Sequence, residues 1–212
     1  AYTLKNPDFL KENLWQKIIR PIKILHTSRI EVSKVFDPLV EVKKLYEILG
    51  SINRDYPEFD ISGTINDLER IYNKASVKKD DFVLCHNDLL ADNFMLTNDR
   101  EKYPEEMYLI DWEYAGMNTC YYEVADMFQE ILVPRDVERN LLEIYWEGKN
   151  MDYNIYMTDL FKPFPDIFWF LWSLIQLNIS KIDFDYYNYG RVKYENALSN
   201  IQYARDNYGI KI

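Results

Sequence analysis

The sequence predicts an α+β protein that is mainly helical, with one small β-hairpin region near its middle. Apolar residues recur at helical spacing over most of the chain, whereas three short apolar, partly β-branched runs gather between residues 82 and 110. The composition agrees, with 18 Tyr and 5 Trp against 6 Gly in 212 residues. Many amphipathic rings and few backbone hinges suit helices around an aromatic-lined site. At this length folding buries roughly 70% of the unfolded chain's surface, enough for one sizeable core.

The elements follow in order. Asn6-Pro7-Asp8 reads as an N-cap, a first-turn proline and an acidic first turn. Phe9, Leu10, Leu14, Trp15, Ile18 and Ile19 follow at helical spacing, and Pro21 is expected to end or kink that helix. Asp37-Pro38 repeats the start signal. Leu39, Val42, Leu45, Tyr46 and Leu49 form the stripe behind it, and Gly50 is expected to close it. A third helix is predicted from about Thr64 through Leu68 and Ile71. Phe82–Cys85, Asn93–Leu96 and Met107–Ile110 are short and apolar enough for strands, and the polar segment Thr97–Glu106 suits a hairpin loop between the last two. Helices are predicted again at roughly 121–132, 136–147, 165–181 and 187–207, with Gly148 and Gly209 at C-terminal cap positions.

Several classes of protein are excluded on charge and composition. A formal net charge of -10 speaks against nucleic acid, because phosphate binding needs a basic face. The most apolar stretch, Ile167–Ile175, is far shorter than the ~20 residues that cross a bilayer, so a buried or site-lining helix is expected there. No secretory signal is visible in Ala1–Pro7. The two cysteines, Cys85 and Cys120, form no Cys-x-x-Cys. Neither a disulfide framework nor metal-ligand spacing is expected, and a reducing, cytoplasmic compartment is the simplest reading.

Chemistry concentrates in His86-Asn87-Asp88-Leu89-Leu90-Ala91-Asp92-Asn93 and in Ile110-Asp111-Trp112-Glu113-Tyr114. Asp88, at the end of a strand, can accept a proton from a substrate hydroxyl. Asn93, five residues on, can return to the same cleft and offer an oxygen to a hard cation, and Asp111 at the end of the paired strand can supply the charged ligand. One carboxylate as base with Asn and Asp around magnesium is what phosphoryl transfer asks of a protein. Singly, each of these residues would read as a turn or cap residue. Together, across a hairpin of suitable length, they favour a catalytic reading.

The string Cys-His-Asn-Asp-x4-Asn, followed by Leu-Ile-Asp-Trp-Glu-Tyr-Ala, resembles the choline/ethanolamine kinases, within the wider aminoglycoside phosphotransferase and protein-kinase-like fold. The resemblance continues through Tyr121–Glu130 and Phe168–Gln176 to Tyr186–Gly190, covering roughly residues 82–195. It implies a protein-kinase-like C-terminal lobe in which Asp88 is the base, Asn93 and Asp111 hold Mg2+, Glu113 assists nearby, and ATP is the co-substrate. By the same resemblance His86 is structural, and Trp169, Trp172, Tyr114, Tyr189 and Glu130 surround the trimethylammonium group of choline. Trp169 and Trp172, three apart, also share one helix face on spacing alone, where core packing is the commoner role for a Trp pair. His26 is assigned to packing. Three features depart from the family pattern: Leu90 stands where eukaryotic members typically carry Gln, Glu123 matches a family Asp, and the Tyr-x-x-Tyr-Gly ending is nearer the bacterial branch.

Such a kinase needs a glycine-rich loop over the phosphates and a strand Lys to hold them. The six glycines, at 50, 63, 116, 148, 190 and 209, never cluster. Residues 1–212 are therefore expected to form the substrate-binding and catalytic lobe, to lack the nucleotide lobe, and to be inactive alone. The function expected of the complete enzyme is ATP-dependent phosphorylation of choline. Ethanolamine or an aminoglycoside as substrate, and a non-catalytic choline-binding module, are the rivals; a plain helical interaction domain would leave Asp88 and Asp111 as coincidence.

Overall fold

The computed structural model describes residues 1–52, 54–98, 101–102 and 105–210. In chain order its elements are β1 (Tyr2–Thr3), α1 (Glu12–Thr27), α2 (Pro38–Ser51), α3 (Ile61–Ala75), β2 (Val83–Cys85), β3 (Phe94–Leu96), β4 (Met107–Leu109) and β5 (Gly116–Asn118). The helices α4 (Cys120–Ile131), α5 (Arg135–Trp146), α6 (Met151–Phe161), α7 (Pro163–Ile179) and α8 (Tyr186–Tyr208) complete it. The chain divides into two compact units, Ala1–Phe36 with Lys78–Thr158, and Asp37–Val77 with Asp159–Ile212.

The first unit holds both small sheets. β3 and β4 form the expected antiparallel hairpin, with Phe94 opposite Leu109 and Leu96 opposite Met107. Part of its connecting segment, residues 99–100 and 103–104, lies outside the described residues. β1 adds to the other edge of β3, pairing Tyr2 with Leu96. β2 pairs with β5, a strand absent from the sequence reading, with Cys85 opposite Gly116. Strands of three residues have little stability alone. These are anchored because alternate side chains enter the core: Phe94 and Cys85 are fully buried, and Phe94 meets Phe9 edge-on at 5.3 Å.

Helix α1 corrects the expectation for Pro21. The helix does not end there but runs on to Thr27, and Asn6–Leu10 forms a separate 3-10 turn before it. An interior proline costs ~3 kcal/mol. Leu14, Ile18, Ile19 and Ile22 lie buried on the same helix, and each contributes ~1.5–3 kcal/mol. Burial outweighs the break. Helix α6 was not expected at all, because Asn154 and Thr158 interrupt its apolar pattern. Both are buried and satisfied: Tyr121 Oη donates to Asn154 Oδ1 at 2.9 Å, Asn154 Nδ2 to the Lys149 carbonyl at 2.8 Å, and Thr158 Oγ1 to the Asn154 carbonyl at 2.8 Å.

The second unit is helical. Asp37 caps α2 by accepting from the Leu39 and Val40 amides, as its position before Pro38 predicts. Gly50 lies inside the last turn of α2 and not beyond it. Helix α3 begins at Ile61, earlier than Thr64, because the Asp60 carboxylate accepts from the Gly63 amide and starts the helix there. Gly209 caps α8 at φ 61°, the left-handed conformation that glycine tolerates without penalty. Nearly all of α7 is buried, yet among the described residues no helix is long and apolar enough to cross a membrane.

Helices α7 and α8 approach closely at Gly190. A Cβ there would fall 2.0 Å from Ser173 Oγ and 3.3 Å from Ser173 Cβ. Ser173 Oγ is engaged with the Phe170 carbonyl at 2.7 Å. Gly190→Ala is therefore expected to cost ~1–3 kcal/mol in urea unfolding, the range for overpacking a close-packed contact. Adding Ser173→Ala should recover most of it, and an unchanged midpoint in the single variant would refute the close contact.

Candidate active site

The loop from β2 to β3 carries the polar cluster, and α4 holds it in place. The His86 and Asn87 amides donate to the two oxygens of Glu123, at 3.0 and 2.6 Å, and the Leu89 amide donates to Asp126 Oδ2 at 2.8 Å. Both carboxylates are fully buried. Asn87 sits at φ 65°, a left-handed conformation that Asn adopts more readily than most residues. Its amide nitrogen donates to the Tyr114 carbonyl at 3.1 Å, and its oxygen accepts from Asn118 Nδ2 at 2.7 Å. Tyr114 therefore meets this loop through its backbone. His86 donates from Nε2 to the Ile110 carbonyl at 2.8 Å, and its ring lies 4.8 Å from that of Trp112.

These bonds bring Asp88, Asn93 and Asp111 into one neighbourhood. Asn93 donates from Nδ2 to the Asp88 carbonyl at 2.8 Å and to Asp88 Oδ2 at 3.1 Å. The Ile110 amide donates to the Asn93 carbonyl at 3.0 Å, which places Asp111, itself at φ 65°, one residue away. Asp88 Oδ1 is buried with no hydrogen-bond partner among the described residues. Burial, then the charges of Glu130, Asp111 and Glu113, push the Asp88 carboxyl up to about 7, against the lowering effect of the Asn93 hydrogen bond. Desolvation and like charge favour its protonated form.

The donor set fits a hard cation. Asn93 directs its amide nitrogen to Asp88, which leaves its carbonyl oxygen as a ligand. Asp111 and Glu113 are exposed carboxylates in the same electrostatic neighbourhood. Oxygen donors of this kind are what Mg2+ takes, usually with waters and substrate phosphates completing the shell.

The second unit carries Trp169, Trp172 and Tyr189. The two indole rings meet edge-on at 5.7 Å, and Trp172 continues to Tyr186 at 5.8 Å. Phe184 touches both Tyr186 and Tyr189, at 4.9 and 5.8 Å. Trp169 is buried and Trp172 half-buried. Phe184 and Tyr186 thus join a cluster that the sequence reading drew from the Trp pair and Tyr189.

Residues outside that reading also shape the loop. Glu123, which the resemblance matches to a family Asp, and Asp126, within the resembling stretch Tyr121–Glu130, had no assigned role. His26 is more than packing: its Nδ1 lies 2.5 Å from Tyr145 Oη and its Nε2 lies 3.3 Å from Glu123 Oε1, both buried contacts.

The fold, mainly helical with small sheets, is protein-kinase-like. A choline/ethanolamine kinase family protein from Mesorhizobium loti superposes with a TM-score of 0.82 at 21% identity, covering 95% of this chain and 67% of that one. The choline kinase LicA from Streptococcus pneumoniae superposes with a TM-score of 0.76 at 25% identity, covering 95% and 66%. A probable ethanolamine kinase of Arabidopsis thaliana is 26% identical over 219 residues, which span 92% of this chain and 57% of that protein. Residues 1–151 match the family model for choline/ethanolamine kinase. The chain belongs to that family. It spans about half the length of the curated relatives it matches.

Proposed function

We propose that the protein carrying this chain transfers the γ-phosphoryl group of ATP to the hydroxyl of choline, forming phosphocholine and ADP. One observation carries the reading: a buried carboxylate oxygen, Asp88 Oδ1, has no partner among the described residues and stands beside two residues suited to a hard cation. Asp88 accepts the choline hydroxyl proton as that oxygen attacks phosphorus and the bond to the ADP oxygen breaks. A base whose pKa lies near the working pH suits that task. Asn93 and Asp111 would hold Mg2+, which when bound neutralises charge on the transferring phosphate. His86 keeps the loop in place through Ile110. On this reading residues 1–212 act as the substrate-binding and catalytic lobe, and a glycine-rich loop and lysine would hold the nucleotide. The two free cysteines are consistent with a cytoplasmic protein.

Trp169, Trp172 and Tyr189, all in the second unit, are assigned to the ammonium end of choline. A quaternary ammonium has no N–H to donate, and aromatic faces attract it by ~0.5–2 kcal/mol each. Trp172→Ala is expected to raise KM for choline roughly 5–30-fold, the loss of about 1–2 kcal/mol, with a smaller change in kcat. Ethanolamine, smaller and able to donate hydrogen bonds, should lose less. The measurement is a pair of KM titrations, wild type and variant, with each amine. Equal losses, or a wild-type preference for ethanolamine, would move the substrate to ethanolamine. Turnover with neither amine, or with an aminoglycoside alone, would overturn the assignment.

A further inference from the structure

We propose that His26, Cys85 and Glu123 form a buried site for a thiophilic divalent cation of the zinc class, separate from the Asp88 cluster and independent of its reading. The three residues come from α1, β2 and α4. Their donor atoms all lie within 4.8 Å of one another. His26 Nε2 is 3.5 Å from Cys85 Sγ and 3.3 Å from Glu123 Oε1. Zinc bonds of ~2.0–2.1 Å to nitrogen, ~2.3 Å to sulfur and ~2.0–2.2 Å to oxygen, at tetrahedral angles, separate those donor pairs by roughly 3.6 and 3.4 Å. The observed spacings match both edges.

Charge points the same way. Glu123 is fully buried, and among the described residues its hydrogen-bond and ion-pair partners are two backbone amides and His26, with no Lys or Arg. A buried carboxylate needs a countercharge, and buried charges are paired or bind metals. Glu123 Oε1 takes the His86 amide with one lone pair and has a second for a cation. On the far side of the imidazole, Tyr145 Oη lies 2.5 Å from Nδ1, and Tyr145 also hydrogen-bonds Cys120. With the Tyr145 proton on Cys120, Nδ1–H donates to Tyr145 and Nε2 keeps its lone pair for the metal, the outer-shell arrangement that fixes a ligating His.

Cys85 must lose its proton to bind. Burial first, then the charges of Glu123 and Cys120, push its thiol well above the usual range, against the opposing effect of a backbone hydrogen bond with Asn118. Metal-free, it stays a thiol. Loading breaks the S–H bond, forms the S–metal bond and releases one proton to solvent, with no change of oxidation state. Because all three residues are buried, the cation enters as the protein folds. Bound there, it would tie α1 to β2 and to the carboxylate that holds the His86–Asn87 amides. No sequence spacing reveals the site, since its ligands lie 59 and 38 residues apart.

The test is expression of the full-length protein in zinc-limited, cobalt-supplemented medium. One cobalt per chain, a thiolate-to-cobalt charge-transfer band and the intense visible bands of tetrahedral Co2+ are expected. Cys85→Ser should remove the charge-transfer band, His26→Gln should lower cobalt content, and Cys120→Ser should leave the band intact. Folded wild-type protein without bound metal or band would overturn the proposal. A band that survives Cys85→Ser but not Cys120→Ser would overturn it equally. Should Cys85→Ser fail to fold, the wild-type spectrum and the Cys120→Ser variant decide.

Discussion

Asp88→Asn is expected to lower turnover by ~10²–10⁴-fold, the usual worth of a general base, while making the protein more stable at neutral and alkaline pH. The substitution keeps an oxygen for Asn93 Nδ2 to meet and removes only the ionisable group. Its effect on stability follows from the sign of the shift. The Asp88 carboxyl is raised from 3.8 to about 7 on folding. Between those values the folded protein keeps a proton that the unfolded chain has released, so stability falls as pH rises through that window and is lowest above it. Asn carries no such penalty. Without magnesium, Tm of the variant should exceed that of wild type at about pH 8, and the two should converge near about pH 4. Wild-type turnover would remove Asp88 from the chemistry. Equal melting temperatures at both pH values would mean that its carboxylate is not confined among Glu130, Asp111 and Glu113.

Asp111→Asn should fail differently. On the proposed assignment it removes a charged cation ligand and leaves Asp88 in place, so apparent magnesium affinity should fall by at least the ~10–100-fold that outer-shell partners of a metal are worth. Activity should return in part as magnesium is raised. No magnesium concentration should restore Asp88→Asn. A magnesium titration of the full-length enzyme and both variants, read as initial rate, makes the comparison. Identical curves for wild type and Asp111→Asn would take Asp111 out of the cation site. The substitution also relaxes one carboxylate pressing on Asp88, so a small rise in stability at alkaline pH should accompany it.

Much of this molecule was legible because its signals are local. Asp37-Pro38 starts α2 through a side chain that meets amides two and three residues on. Gly209 ends α8 by adopting φ 61°. The β3–β4 hairpin needs only two apolar runs and a polar segment between them. The stripes of α4, α5 and α8 follow the helical period to within a few residues. Asp88, Asn93 and Asp111 belong to this group as well, since the hairpin alone carries Asn93 and Asp111 to the same end.

Tertiary structure decided what depends on partners distant in sequence. Gly116–Asn118 is a strand only because Val83–Cys85, 31–35 residues earlier, satisfies its backbone. Pro21 sits within a helix because four buried aliphatic residues on α1 outweigh its missing amide. Asn154 and Thr158 look like surface residues until Tyr121 and the α6 backbone answer their hydrogen bonds. Glu123 is matched to a family Asp by resemblance alone, with no partner legible, yet its two oxygens hold the loop that carries Asp88, and His26 meets it from a helix 97 residues away. Local propensity and periodicity set the element types and delivered Asp88, Asn93 and Asp111 to one loop and one hairpin. Whether a buried polar group is tolerated depends on which distant donor or cation faces it, and that is a property of the folded chain alone.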